Sequence, residues 1–104
     1  MTAEWFDLAG KSALVTGGSK GLGRTIALAL ARAGADVAVA SRTRSELQDV
    51  ADEIRSIGRR SCVAVADMAD EASIEQMVAN TIADLGQIDI LVNNAGIEGL
   101  GATS

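Results

Sequence analysis

The residues best suited to chemistry lie in one run, Thr16-Gly17-Gly18-Ser19-Lys20-Gly21-Leu22-Gly23. Its glycines permit positive backbone torsions, let a diphosphate approach the main chain, and let a following helix lie tight on the preceding strand. Amides exposed at a helix start, with the positive end of the helix dipole behind them, favour an anion there. A structural turn would use glycine too, so placement decides. The run follows a short apolar segment and opens an amphipathic one, the context that phosphate binding requires. It is not a nucleotide-triphosphate loop, because no Gly-Lys-Ser/Thr follows a four-residue spacer.

Other chemistries are excluded by what the 104 residues lack. There is no His, Tyr or Pro, so neither an imidazole nor a phenol can carry a proton within this polypeptide. The single Cys62 can form no intrachain disulfide and, without histidine, no structural zinc site, which points to a reducing, cytoplasmic setting. Cys62 lies in an apolar run and reads as a small inert hydrophobe. Fourteen acidic side chains against nine basic ones give a net charge of −5, the wrong sign for a partner with a phosphate backbone, so no nucleic acid is expected. The longest apolar stretch, Ile26 to Ala31, is too short to cross a bilayer, and Glu4 and Asp7 argue against a signal peptide, so no membrane partner is expected.

These residues must be held by alternating elements. Ser12 to Thr16, Asp36 to Ala40, Ser61 to Ala66 and Ile88 to Asn93 are short, nearly continuous apolar runs, as strands of a parallel sheet buried on both faces would be. Between them, apolar residues recur at three and four. The first helix spans Gly21 to Ala33 with a stripe of Leu22, Ile26, Ala29, Leu30 and Ala33, ended by Gly34. The second opens at Thr43-Arg44-Ser45-Glu46, a capping-box spacing, and carries Leu47, Val50, Ala51, Ile54 and Ile57 to Gly58. The third starts at Asp70 and carries Ile74, Met77, Val78, Ile82 and Leu85 before Gly86. Trp5 and Phe6 are assigned to covering the sheet edge, Asp52, Glu53 and Arg55 to a solvated helix face, and Glu98 to Ser104 to a mobile tail.

Right-handed crossovers turn this β-α-β-α-β-α-β order into a doubly wound α/β sheet, a Rossmann-type three-layer fold. The expected strand order is 3-2-1-4, with helices one and two on one face, helix three on the other, and a crevice at the carboxyl ends of strands one and four. Residues 1–104 are then one dinucleotide-binding half domain.

From Leu8-Ala9-Gly10-Lys11 through the Thr-Gly-x-x-x-Gly-x-Gly loop to Asn93-Asn94-Ala95-Gly96, the sequence resembles the short-chain dehydrogenase/reductase family. The resemblance implies a Rossmann sheet that binds a nicotinamide dinucleotide and hydride transfer between that cofactor and an alcohol or carbonyl. It places Gly17, Ser19, Lys20, Gly21, Leu22 and Gly23 at the cofactor and implies that Asp67 bonds the adenine amino group, with Met68 lending its backbone. It also sets Asn94, Ala95 and Gly96 against the ribose. For Asp67 a turn approaching a helix is the alternative. Part of the role of the Asn-Asn segment is structural, since Asn can satisfy backbone groups between strands.

Charge argues the choice of cofactor. An enzyme that takes NAD(H) usually carries an acidic residue after strand two, whereas this chain has Ser41-Arg42-Thr43. Arg42 offers a planar fork of donors to a ribose 2′-phosphate, and Lys20 adds a second positive charge, so NADP(H) is expected over NAD(H).

The resembling family works with a Ser, a Tyr and a Lys, assisted by an Asn, beyond the fourth strand. Because this sequence has no Tyr and stops at Ser104, no catalytic residue is assigned, and the chain reads as the amino-terminal, truncated part of an oxidoreductase, inactive alone. The apolar fourth strand, Ile90-Leu91-Val92, then needs cover, from self-association into a homo-oligomer or from the remainder of a longer chain. The alternative is a non-catalytic nucleotide-binding or assembly module that pairs with another subunit; adenine-nucleotide or flavin binding on the same sheet ranks below both.

Overall fold

A computed structural model describes residues 7–94. The first apolar run is strand β1 (Ser12–Thr16), buried at every position. β2 (Asp36–Ser41), β3 (Ser61–Val65) and β4 (Ile90–Asn93) follow, with helices α1 (Gly21–Arg32), α2 (Arg44–Ile57) and α3 (Glu71–Leu85) between them. All pairings are parallel and the strand order is β3-β2-β1-β4, as expected. β2 runs one residue further than the sequence suggests, β3 ends one residue earlier, and β4 begins two residues later.

The near-continuous apolar character of β1 and β2 follows from burial on both faces. Ala13, Val15, Val37 and Val39 pack with Ala27, Leu28 and Ala31 of α1 and with Leu47, Val50 and Ile54 of α2. On the opposite face Leu14, Ala38, Ala40 and Ala64 meet Met77 and Leu85 of α3. Full burial of a side chain such as Leu14, Leu47 or Ile54 contributes about 1.5–3 kcal/mol, so these contacts fix which way each strand faces. Among the described residues β4 pairs with β1 alone, and Leu91 on this edge is 64% exposed.

Two local expectations need correction. The inward face of α1 is Gly23, Ala27, Leu28 and Ala31, not the stripe of Leu22, Ile26, Ala29, Leu30 and Ala33. Both faces of this helix are apolar, so periodicity alone cannot choose between them. The choice is made at its first turn, where Gly23 must press against the loop. The other face is left to line, with Leu8, a shallow apolar groove of about 340 Å³, and Leu22 is 59% exposed. The capping box on α2 does not form either: Thr43 is the N-cap residue but its side chain caps nothing. Instead the Thr43 amide donates to Ser41 Oγ at 3.2 Å. The expectations for Trp5, Phe6 and the segment 98–104 concern residues outside those described.

Candidate functional site

The loop between β1 and α1 is stitched to the end of β2, for the Gly17 and Gly18 amides donate to the Ala40 carbonyl at 2.8 and 3.4 Å. Those two donors are therefore engaged within the protein. Beyond them the chain turns through Gly21, which adopts φ +61° and has no atom within 4 Å of where a Cβ would stand. Gly23 is glycine for the contrary reason: a Cβ there would lie 1.9 Å from the Gly17 carbonyl oxygen and 2.7 Å from Asn94 Nδ2. One glycine leaves open space outside the loop, and the other lets the helix close on it from inside.

Gly21, Leu22 and Gly23 precede the first bond of α1, from the Arg24 amide to the Lys20 carbonyl at 3.4 Å, so their amides have no partner within the helix. Lys20 is the N-cap and supplies no side-chain cap. Its extended backbone carries the side chain out to solvent, 76% exposed, with Nζ 3.9 Å from Glu46 Oε2. An uncapped helix start with its dipole unopposed suits an anion.

At the end of β2, Ser41 Oγ accepts from the Thr43 amide and the Ser41 carbonyl accepts from Ala66. Arg42 is exposed between them and forms no ion pair among the described residues. After β3, Asp67 Oδ1 accepts from the Ala69 amide at 2.9 Å, and the Asp67 amide donates to Ser73 Oγ at 2.9 Å. This is the turn that the sequence offered as the alternative for Asp67. Met68 is half-buried against the α3 side of the core.

After β4, Asn94 is buried and its Nδ2 donates to the Gly17 carbonyl at 3.2 Å, while Thr16 Oγ1 lies 3.1 Å from Asn93 Oδ1 and 3.3 Å from the Val92 carbonyl. The two asparagines thus brace the floor beneath the loop, the structural part of the role assigned to them. Ala95 and Gly96 lie outside the described residues.

The structure brings Gly17, Ser19, Lys20, Gly21, Leu22, Gly23 and Asn94 together in the β1–α1 loop and its floor. Ser41, Arg42 and Thr43 follow the neighbouring strand, and Asp67 and Met68 follow the strand beyond, all along the carboxyl edge of the sheet. Sequence reasoning missed Glu46, which it assigned to helix capping. The only signal was an acidic residue after β2 facing a lysine after β1, and those strands are neighbours only once the topology is known.

A cavity of about 640 Å³ runs along the edge strand β3, from Arg44 and Gln48 of α2 to Arg60, Ser61, Cys62 and Leu85 toward the opposite end of the sheet. Two of its guanidinium groups are engaged locally: Arg55 donates to the Ser61 carbonyl at 2.9 Å, and Arg60 reaches Asp36 at 3.1 Å and the Leu85 carbonyl at 3.3 Å. Burial, reinforced by the Asp84 carboxylate, pushes the Cys62 thiol up to about 11, consistent with an inert side chain. Also at that end, the Asp89 carboxyl is held below its ordinary value, chiefly by the Ser12 amide and then by Gln87, which donate to Oδ2 at 2.9 and 2.6 Å. Among the described residues no three His, Cys, Asp or Glu side chains gather as metal ligands, and no helix is long and apolar enough to cross a membrane.

Known proteins share this arrangement. Residues 11–104 match the family model described as short chain dehydrogenase. An uncharacterised oxidoreductase of Mycobacterium tuberculosis is 48% identical over 96 residues, which is 92% of this chain and 36% of that protein. A crystal structure of a short-chain type dehydrogenase/reductase from Mycobacterium marinum superposes with a TM-score of 0.79 at 45% identity, covering 83% of this chain and 35% of that one. A 7α-hydroxysteroid dehydrogenase, solved with NADH and 7-oxo glycochenodeoxycholic acid, gives a TM-score of 0.82 at 35% identity, covering 85% and 34%. The chain thus spans about a third of the length of these relatives. With the glycine loop, the 3-2-1-4 parallel sheet and the family match agreeing, the chain belongs to the short-chain dehydrogenase family.

Proposed function

We propose that this chain is the NADP(H)-holding portion of a short-chain oxidoreductase that moves a hydride between the nicotinamide and a carbonyl or alcohol, and that alone it binds the dinucleotide without turning substrate over. The observation that carries the reading is the start of α1, uncapped by Lys20 and opened by Gly21, beside an exposed Arg42 at the end of the adjacent strand. The residues fit such a group: the open space at Gly21 is where a diphosphate can approach the backbone, and a guanidinium fork suits a phosphoryl group. Ser19, Gly21, Leu22 and Gly23 are assigned to the diphosphate, Gly17 to the turn that presents them, and Lys20, as a second positive charge, to the 2′-phosphate. Ser41, Arg42 and Thr43 are assigned to the ribose 2′-phosphate, Asp67 and Met68 to the adenine, and Asn94, Ala95 and Gly96 to the ribose floor.

When bound, the nicotinamide supplies or accepts the hydride. What this chain contributes is position: the amides that open α1 hold the diphosphate, and the buried Asn94 keeps the Gly17 carbonyl fixed beneath them. The proton donor to the substrate oxygen has no candidate here, because the sequence contains neither Tyr nor His. Cover for β4, by a second copy or by further polypeptide of the same enzyme, completes the proposal, and the exposed Leu91 supports it. A cytoplasmic setting accords with the unpaired Cys62.

The test is calorimetric titration with NADPH and NADH, comparing the parent with Arg42→Ala. A charge-assisted contact contributes about 1.5–3 kcal/mol, so the parent should prefer NADPH by about tenfold to a hundredfold and the variant should lose most of that preference. A preference for NADH, binding of neither, or an unchanged ratio in Arg42→Ala contradicts the reading.

A further inference from the structure

One carboxylate beside the proposed dinucleotide site has no part in the reading above. Glu46 stands in the first turn of α2, three residues after the N-cap Thr43, where a capping box would tie its side chain back to the Thr43 amide. That amide is already bonded to Ser41 Oγ, so the Glu46 side chain is released from the cap. It turns instead across the gap between the two loops, toward Lys20 Nζ at 3.9 Å, with its own side chain 40% exposed. Lys20 is one of the two cations assigned to the 2′-phosphate; Arg42 is the other.

We propose that Glu46 is a specificity-determining residue for the adenosine end of the cofactor: by pairing with Lys20 it withholds part of that cation from the 2′-phosphate, which limits the preference for the phosphorylated ribose. The inference rests on the NADP(H) reading of this site. An ordinary dinucleotide site that favours NAD(H) uses a carboxylate after the second strand to hold the ribose hydroxyl and repel the phosphate. Here that position is Arg42, and the only described carboxylate paired to a site residue arrives one helical turn later, through Lys20. A partly exposed pair at this distance is a weak, salt-sensitive interaction, so its effect is to tune selectivity.

Because the adenosine end alone is at issue, the probes are adenosine 2′,5′-bisphosphate and adenosine 5′-monophosphate, titrated by calorimetry into the parent chain, Glu46→Gln, Lys20→Ala and the double variant at low ionic strength. Glu46→Gln should bind the bisphosphate about threefold more tightly and the monophosphate unchanged. That gain should disappear in the Lys20→Ala background and shrink at high salt. An unchanged or weaker bisphosphate affinity, equal tightening of both probes, or a gain that survives Lys20→Ala overturns the role of Glu46 while leaving the NADP(H) reading in place. A parent chain that does not distinguish the two probes overturns both. Circular dichroism melting of each variant checks that the fold is retained.

Discussion

All three helices follow a parallel strand, so all three begin at the carboxyl edge of the sheet, yet their beginnings differ. The start of α3 is closed by its own sequence: Asp70 accepts from the Ala72 amide at 3.1 Å, and Asp67 closes the turn before it. The start of α1 has no side-chain cap, and its neighbour α2 has an N-cap threonine that caps nothing. A helix that needs only to be stable satisfies its own first amides, as α3 does. Leaving those of α1 open beside glycine and two cations is what a bound phosphate would require. On the proposed reading, the difference separates a helix start closed by its own side chains from one left open to the diphosphate.

The comparison is broken most severely at Gly23. A Gly23→Ala methyl would meet the Gly17 carbonyl at 1.9 Å, a backbone atom that cannot rotate away. We expect a loss of about 3 kcal/mol or more in denaturant unfolding, since overpacking a closed contact typically costs about 1–3 kcal/mol and this one is unusually tight. Gly21→Ala, by contrast, meets no atom; it strains a positive φ and should cost only about 1–2 kcal/mol while blocking the anion's approach. Near-equal losses at the two positions would mean that the loop is not divided into a packed side and an open side.

The caps sharpen it further. Removing the α3 cap in Asp70→Ala should cost about 1 kcal/mol, whereas Thr43→Ala, which loses no side-chain cap, should cost less than about 0.5 kcal/mol. If the two substitutions are equally costly in thermal melts, α2 is capped in solution and its end is not open.

The smallest effect belongs to the opposite end of the sheet. Asp89 has a folded-state pKa depressed by the Ser12 amide, so its contribution is present above the ordinary carboxylate value of 3.8 and is lost as pH falls through the lower folded value. Asp89→Asn should therefore be slightly less stable than the parent near neutrality, with the gap closing as the denaturant midpoint is followed down toward pH 2. A gap that widens on acidification would reverse the assigned sign.

Much of this was legible before any coordinates. Strands buried on both faces announce a parallel sheet because Leu14 and Val15 must both be apolar when they point in opposite directions. The glycine run identified its own loop for the same kind of reason, since few residues can take those torsions. What could not be read was rotation and reach. Helix α1 carries apolar residues on two faces, and only the contact of Gly23 with Gly17 decides which of them turns inward. Glu46 matched a capping pattern three residues from Thr43, but a hydroxyl two residues before Thr43 took the amide first. Competition between equally plausible local partners is decided by tertiary placement, and the pairing of Glu46 with Lys20 depends on β1 lying next to β2.

The central claim, that the open start of α1 receives the cofactor's diphosphate, is tested most directly by following the amide resonances of an isotopically labelled chain during titration with NADPH. The account predicts saturable shifts at Gly21, Leu22 and Gly23, smaller shifts around Arg42, and none at Ala72 behind its Asp70 cap. Shifts confined to α3 or to the Arg55 and Arg60 cavity, or no shifts at the start of α1, would contradict it.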